Sequence, residues 1–490
     1  MSKNLKNDAV KSIKWTTIQT VVVGTLGPIS LWIRSVFLSP EEFGYLSIIL
    51  IVIGLFKLFE NFGISQAIIQ KGTITKQESS SIFFFNILFT AILALIVYLL
   101  GKPLAIFYEL PELDFYLKSV SVIVFLNGPS FLFRAFLEKE IYFKQLSLIN
   151  ISRNVINVLA IFGFLYYDFG VLGVIYAYIV STAIATFLII LKSLRLTHVK
   201  INLYFQLKKL YPFLRFGVFV SGKQLLTYAA NRLDELVIGY FLTPDILGIY
   251  HFGKQMLEKL RTLLTNSFSK VLFPVFSKLK NEKEQLSNVY LKVSKYLAYI
   301  AFPVFTGIAV TAHLFVPLVF GEQWVDSIIV FQVFSVSMIF FLLTSNVSGA
   351  LLYSVNKPAI VFNIDLIINS IYFILLFLFT SQGLIAVLII YSIYIIFKTS
   401  TLQFFANKQL TYQMKTYLKL LKRPFIFSII MGLIIWLFQF FIKTHFSNAL
   451  ILIFSIIIGA TIYLISIFIN SREDYFELLG LLKNKTTFIK

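Results

Sequence analysis

The chain has 490 residues, 58% hydrophobic and only 13% charged, with 54 phenylalanines and no cysteine. A soluble domain carries about 25% charged residues, so that class is excluded. The missing thiol excludes disulfides, iron–sulfur clusters and thiolate metal sites. The net charge of +20 points to basic loops of a polytopic membrane protein and not to a nucleic-acid partner, because most Lys and Arg fall between the apolar runs.

A membrane span needs about 20 mostly apolar residues. In chain order, candidate spans begin near Trp15, Phe43, Ile82, Leu117, Ser147, Gly170, Leu210, Ile246, Tyr296, Ser327, Ala359, Leu384, Pro424 and Asn448. This predicts an all-α protein with about fourteen transmembrane helices. The first run lacks a small-residue cleavage site and carries Gln19 and Arg34, so it reads as a retained helix. Alternate connections are basic: Lys71 and Lys76; Lys139 and Lys144; Leu191–Lys209; Lys278–Lys292; Lys357; and Lys398–Arg423. The others hold few cations, Lys102, Lys118 and Lys443 among them, and two are acidic, at Glu41–Glu42 and Glu109–Asp114. The positive-inside rule places both termini in the cytoplasm of a multi-pass protein. The basic stretches Leu191–Lys209 and Phe397–Arg423 are expected on the inner membrane face among anionic lipids.

One phrase is written twice. FLSPEEFG runs from Phe37 to Gly44 and FLTPDILG from Phe241 to Gly248, each between two long apolar stretches. Pro and an acid mark a tight turn between two helices. A duplicated helix–turn–helix in a very apolar chain is the signature of a transporter whose substrate path lies between its halves.

Ionisable residues at membrane depth are costly and functional by default. Around the second turn, Lys223, Thr227, Asn231 and Asp234 share one helical face, with Gln224, Tyr228, Arg232 and Glu235 beside it; Lys254, Glu258, Arg261, Thr265 and Ser269 continue the stripe on the next helix. Sliding the second copy onto the first places Lys223 on Gln19 and Arg261 on Lys57. The expected cavity is walled by Arg34, Lys57, Lys223, Arg232, Lys254 and Arg261, and its substrate is anionic. Gln19, Glu60, Asn231, Asp234, Glu258 and Asp365 are candidates for polar lining or ion coupling. Lys254–Glu258–Arg261 also reads as an internally neutralised ladder. Asp365, between Asn363 and Asn369, reads either as a proton or Na⁺ site or as a carboxyl bonded to a neighbouring helix. The four His are too scattered for a metal site. No phosphate-binding loop, dinucleotide fingerprint or HExxH is present, so neither cofactor nor enzymatic activity is expected.

Four ordered strings carry a family resemblance: FLSPEEFG with FENFGISQAIIQK (Phe59–Lys71); FLEKEIYFKQL (Phe136–Leu146); NRLDELVIGYFLTPDILGIY (Asn231–Tyr250) with VLFPVFSKL (Val271–Leu279); and VPLVFGEQW (Val316–Trp324). Together they resemble the polysaccharide transporters of the multidrug/oligosaccharidyl-lipid/polysaccharide exporter superfamily, in the colanic and teichuronic acid branch. The resemblance implies two pseudo-symmetric six-helix bundles, 1–190 and 210–405, a cytoplasmic linker at 191–209, and two extra helices with a basic loop and tail in 406–490. It implies a flippase in the bacterial cytoplasmic membrane. The cargo would be a polyprenyl-diphosphate-linked oligosaccharide, moved to the outer leaflet by alternating access, with a polymerase and glycosyltransferases as partners in surface polysaccharide biosynthesis. A peptidoglycan lipid-precursor flippase and a cation-coupled drug exporter are the alternatives.

Overall fold

The computed structural model describes residues 3–483 except 62, 63, 72, 198 and 444; the side chains of Glu60 and Lys223, both expected at the site, lie outside the described residues. The described chain is helical. It begins α1 (Lys3–Phe37), α2 (Pro40–Asn61), α3 (Ile64–Gln70), α4 (Lys76–Phe107), α5 (Glu112–Asn127), α6 (Phe131–Lys139), α7 (Phe143–Tyr166), α8 (Gly170–Leu196), α9 (Leu207–Phe241) and α10 (Pro244–Leu279). It continues with α11 (Lys283–Phe320), α12 (Ile328–Phe340), α13 (Asn346–Ser354), α14 (Pro358–Phe379), α15 (Leu384–Asn407), α16 (Met414–Ile442), α17 (Asn448–Asn470) and α18 (Arg472–Lys483). Packing divides it into two compact units, 1–251 and 252–490, with α10 running through the boundary.

Among the described residues, twelve helical stretches are long and apolar enough to cross a membrane. The two expected spans outside that set are α9 and α10, of 35 and 36 residues. At about 1.5 Å per residue each exceeds a bilayer core. What sets them apart is charge: they carry the ionic stripe read from the sequence.

Large apolar side chains are exposed in numbers a soluble protein does not show, and many hydroxyl and amide side chains are buried. On α4, Leu95, Leu99 and Ile106 are exposed whereas Ser79, Ser80, Ser81, Asn86 and Thr90 are buried. Lipid competes for apolar surface, so small and polar side chains join the helices instead. The Asn86 amide donates to Gly128 O at 2.7 Å, and Arg153 of α7 donates to Thr182 Oγ1 of α8 at 3.1 Å.

In the first unit α8 ends at Leu196, and the connection to α9 runs over the head of α4. The backbone N–H of Asn202 donates to Ser80 Oγ at 2.8 Å, and that of Gln206 to Ser81 Oγ at 3.1 Å. Val199 is buried in a cluster with Ile68, Ile82, Leu210 and Phe213. The second unit repeats the device: Thr411 N–H, in the connection between α15 and α16, donates to Ser287 Oγ of α11 at 2.9 Å. Ser80 and Ser287 are each the fifth residue of their helix, so the duplication extends to this strap.

The basic stretch expected as a loop over Phe397–Arg423 is mostly helix. α15 continues to Asn407 and α16 starts at Met414, and Lys398 lies inside α15. In the second unit α16 and α17 pack on α11 through Tyr299, Phe427, Met431, Ile435, Tyr463 and Ile467. Tyr463 OH donates to Tyr299 O at 3.0 Å and Tyr299 OH donates to Asp474 Oδ2 at 2.8 Å. Asp474 also pairs with Lys295, which ties α18 to α11.

Candidate functional site

The two repeated turns come out where the phrase predicts, between Phe37 and Pro40 and between Phe241 and Pro244. Pro opens each following helix, where its missing N–H costs nothing. Ser39 caps the first copy: Ser39 N–H donates to Glu42 Oε2 at 2.9 Å and Glu42 N–H to Ser39 Oγ at 3.2 Å, a reciprocal capping box. Each phrase ends on a glycine one turn after its proline. A Cβ on Gly44 would stand 2.2 Å from Pro244 O, and one on Gly248 would stand 1.7 Å from Pro40 O. The two copies therefore cross backbone against backbone, each glycine admitting the other copy's proline carbonyl. No larger residue fits either place without parting the helices.

Beyond the crossing, α2 lies along α9 through Ser47, Ile51 and Gly54, which follow Gly44 at steps of three, four and three residues and so share one face. Ser47 Oγ donates to Glu235 Oε2 at 2.9 Å, and Tyr228 OH donates to Ile51 O at 2.9 Å. Gly54 gives the phenol its room, since a Cβ there would stand 2.1 Å from Tyr228 OH.

Glu235 is fully buried and gathers partners from three helices. Its Oε1 accepts from Arg232 Nη1 at 2.7 Å, and its Oε2 meets Ser47 of α2 and His251 Nδ1 of α10, the latter at 2.8 Å. The neighbouring carboxylate, Asp234, accepts from Tyr250 OH at 2.6 Å and from Glu235 N–H at 2.9 Å. A buried charge persists only when paired and hydrogen-bonded, and this arrangement supplies both. Arg34 of α1 is 4% exposed, donates from Nε to Ser30 O at 3.1 Å, and acts electrostatically on His251 together with Arg232. Arg232, Asp234, Glu235 and His251 thus form one charged cluster in the first unit, with Arg34 near enough to act on the imidazole.

The other expected residues are distributed more widely. In the first unit Gln19 is half-buried, and Lys57 and Asn231 are exposed. In the second, Lys254 is 3% exposed, and Glu258 and Arg261 are half-buried. The Arg261 guanidinium lies over the Phe341 ring at 4.4 Å from its centroid. Asp365 lies elsewhere in the second unit. It pairs with Lys398 at 2.9 Å, and Lys398 also donates to Tyr394 OH at 3.0 Å, whose own proton goes to Asn369 Oδ1 at 2.9 Å. Of the two readings of Asp365, the structure shows the bond to a neighbouring helix, and the partner is a lysine expected in a loop.

Glu235, Tyr250 and His251 are not among the site residues expected from the sequence, although the turn carries a signal for them. Glu235 and His251 lie seven and eight residues from the two-residue turn Leu242–Thr243, so an antiparallel helical hairpin sets them at equal depth. Asp234 and Tyr250 are related in the same way. Ser47 and Phe341 gave no signal, being one hydroxyl and one phenylalanine in apolar runs.

Comparison with known proteins places the chain. The polysaccharide biosynthesis protein family matches residues 35–329. The chain is 27% identical over 335 residues to the lipopolysaccharide biosynthesis protein WzxC of Escherichia coli (strain K12), covering 68% of this chain and 67% of the relative. It is 24% identical over 434 residues to the teichuronic acid biosynthesis protein TuaB of Bacillus subtilis (strain 168), covering 88% and 89%. In fold it is similar to the lipid II flippase MurJ in an inward closed conformation, with a TM-score of 0.75 at 18% identity over 94% of this chain and 99% of that one. It is also similar to an inward-facing multidrug resistance MATE transporter, at 0.63 and 16% identity over 80% and 95%. With a family match over more than half its length, this polytopic membrane protein belongs to the polysaccharide biosynthesis protein family.

Proposed function

We propose that the chain is a flippase of the bacterial cytoplasmic membrane, carrying a polyprenyl-diphosphate-linked oligosaccharide from the inner to the outer leaflet. Alternating access lets the headgroup stay solvated while the lipid tail stays in the bilayer. The names of the relatives support the polysaccharide class. The basic connections support an orientation with both termini in the cytoplasm. In that orientation the crossing of the repeated turns lies on the outer side and closes it, and it must part for the cargo to leave. A polymerase acting outside would receive the product.

The observation that carries the anionic cargo is Arg261. Its half-buried guanidinium has no carboxylate at ion-pair distance among the described residues. A cation held in that way is available to phosphate oxygens, which a planar guanidinium can bind in pairs.

The test is a flipping assay in vesicles containing the purified chain. A diphosphate-linked oligosaccharide should be translocated, and the same glycan on a neutral polyprenyl carrier should not. Equal transport of both would overturn the reading.

A further inference from the structure

Five of the described cations are closed by a carboxylate. Lys71 pairs with Glu78 at 2.6 Å, Lys118 with Asp114 at 2.7 Å, Arg232 with Glu235 at 2.7 Å and Lys398 with Asp365 at 2.9 Å; Lys295 pairs with Asp474. Arg261 has no hydrogen bond or ion pair with any described residue. Glu258, one turn earlier on α10, and Tyr391 of α15 act on it only through space. Its placement comes from Phe341, over whose ring it lies.

Phe341 has an unusual backbone. It opens a π-helical turn, Phe341–Ser345, between α12 and α13. Such turns are rare and recur at functional sites. Around it, Phe340 is 40% exposed while Leu342 and Leu343 are buried. Phe341 itself is half-buried, and its ring is the surface on which the guanidinium rests.

We infer that Phe341 is a positioning residue for headgroup binding: its ring holds Arg261 by the π face and leaves the N–H donors to the phosphate oxygens of a diphosphate. This rests on the diphosphate reading above and goes beyond it. A carboxylate partner would fix the guanidinium equally well, but it would cancel the charge and occupy the donors. The ring quadrupole attracts the cation without accepting its in-plane N–H groups. The wide turn in the facing helix then serves to set the ring at the right height along α10.

The full chain in nanodiscs, titrated calorimetrically with farnesyl diphosphate, tests this. Phe341→Leu should weaken binding about fivefold, the size of one cation–π contact. Phe341→Trp, with the stronger ring, should bind as the parent does. Both variants should keep the parent's melting temperature to within a few degrees. Unchanged affinity in Phe341→Leu overturns the inference. So does an equal loss in a Phe341→Trp protein that melts normally, because packing alone would then be at stake. A parent chain that binds no farnesyl diphosphate overturns the diphosphate reading itself, before any variant is compared.

Discussion

Arg232 and Arg261 sit on successive helices of the repeated hairpin, and in the sequence they are the same kind of signal. Arg232 is bound to a carboxylate that also holds Ser47 and His251. Arg261 rests on an aromatic ring. The difference separates two uses of charge inside a membrane. A carboxylate closed by a guanidinium of its own helix ties that helix to its neighbours through Ser47 and His251; a guanidinium supported by a ring stays chemically open. The residue type marks the place as special, and the partner says for what.

The largest effect should come from breaking the closed kind. Glu235→Ala leaves Arg232 and His251 without their acceptor in a buried setting, and should cost about 3–5 kcal/mol of stability. This would be read as a large fall in melting temperature or loss of folded protein on size exclusion. Arg261→Ala, by contrast, should leave melting nearly unchanged. Similar losses for the two would erase the distinction.

Next in size is the crossing. Gly248→Ala drives a methyl into Pro40 O, and overpacking of this kind costs about 1–3 kcal/mol. The cost falls on the state in which the turns touch, so spin labels at positions 41 and 245 should show the longer distance more populated. An unchanged distribution would mean that this contact does not set the balance.

The smallest effects belong to the straps and the α2–α9 seam. Ser80→Ala and Ser287→Ala each remove one hydrogen bond to a connecting segment. Each should cost about 1 kcal/mol, with similar values because the sites are related by the repeat. Tyr228→Phe should cost about the same. Proteolysis within 197–206 and 408–413 would report loosening of each strap separately.

Much of this was legible beforehand. Both turns fall where the repeated phrase puts them, because Pro at the first helical position and a glycine one turn later are strong local signals. The charged stripe on α9 and α10 was legible for the same reason that these helices fall outside the twelve apolar ones. Pairings were harder. Lys398 looked like a loop cation because an apolar run ended near it. The helix in fact continues through Lys398 for nine more residues; Asp365 compensates the charge and Tyr394 accepts a hydrogen bond from it. The face Gly44, Ser47, Ile51 and Gly54 is invisible because it carries no charge and, Ile51 apart, no bulk; its role is to let backbone and side chains of the other repeat come close. The π turn at Phe341 contains no Gly or Pro to announce it.

The most direct measurement is translocation of a polyprenyl-diphosphate-linked oligosaccharide by Arg261→Glu in vesicles, at equal amounts of folded protein. Reversing the Arg261 charge should repel the diphosphate and reduce transport at least tenfold, about 1.4 kcal/mol or more in transition-state terms. Transport at the parent rate by folded Arg261→Glu would contradict a role for that cation in carrying the headgroup.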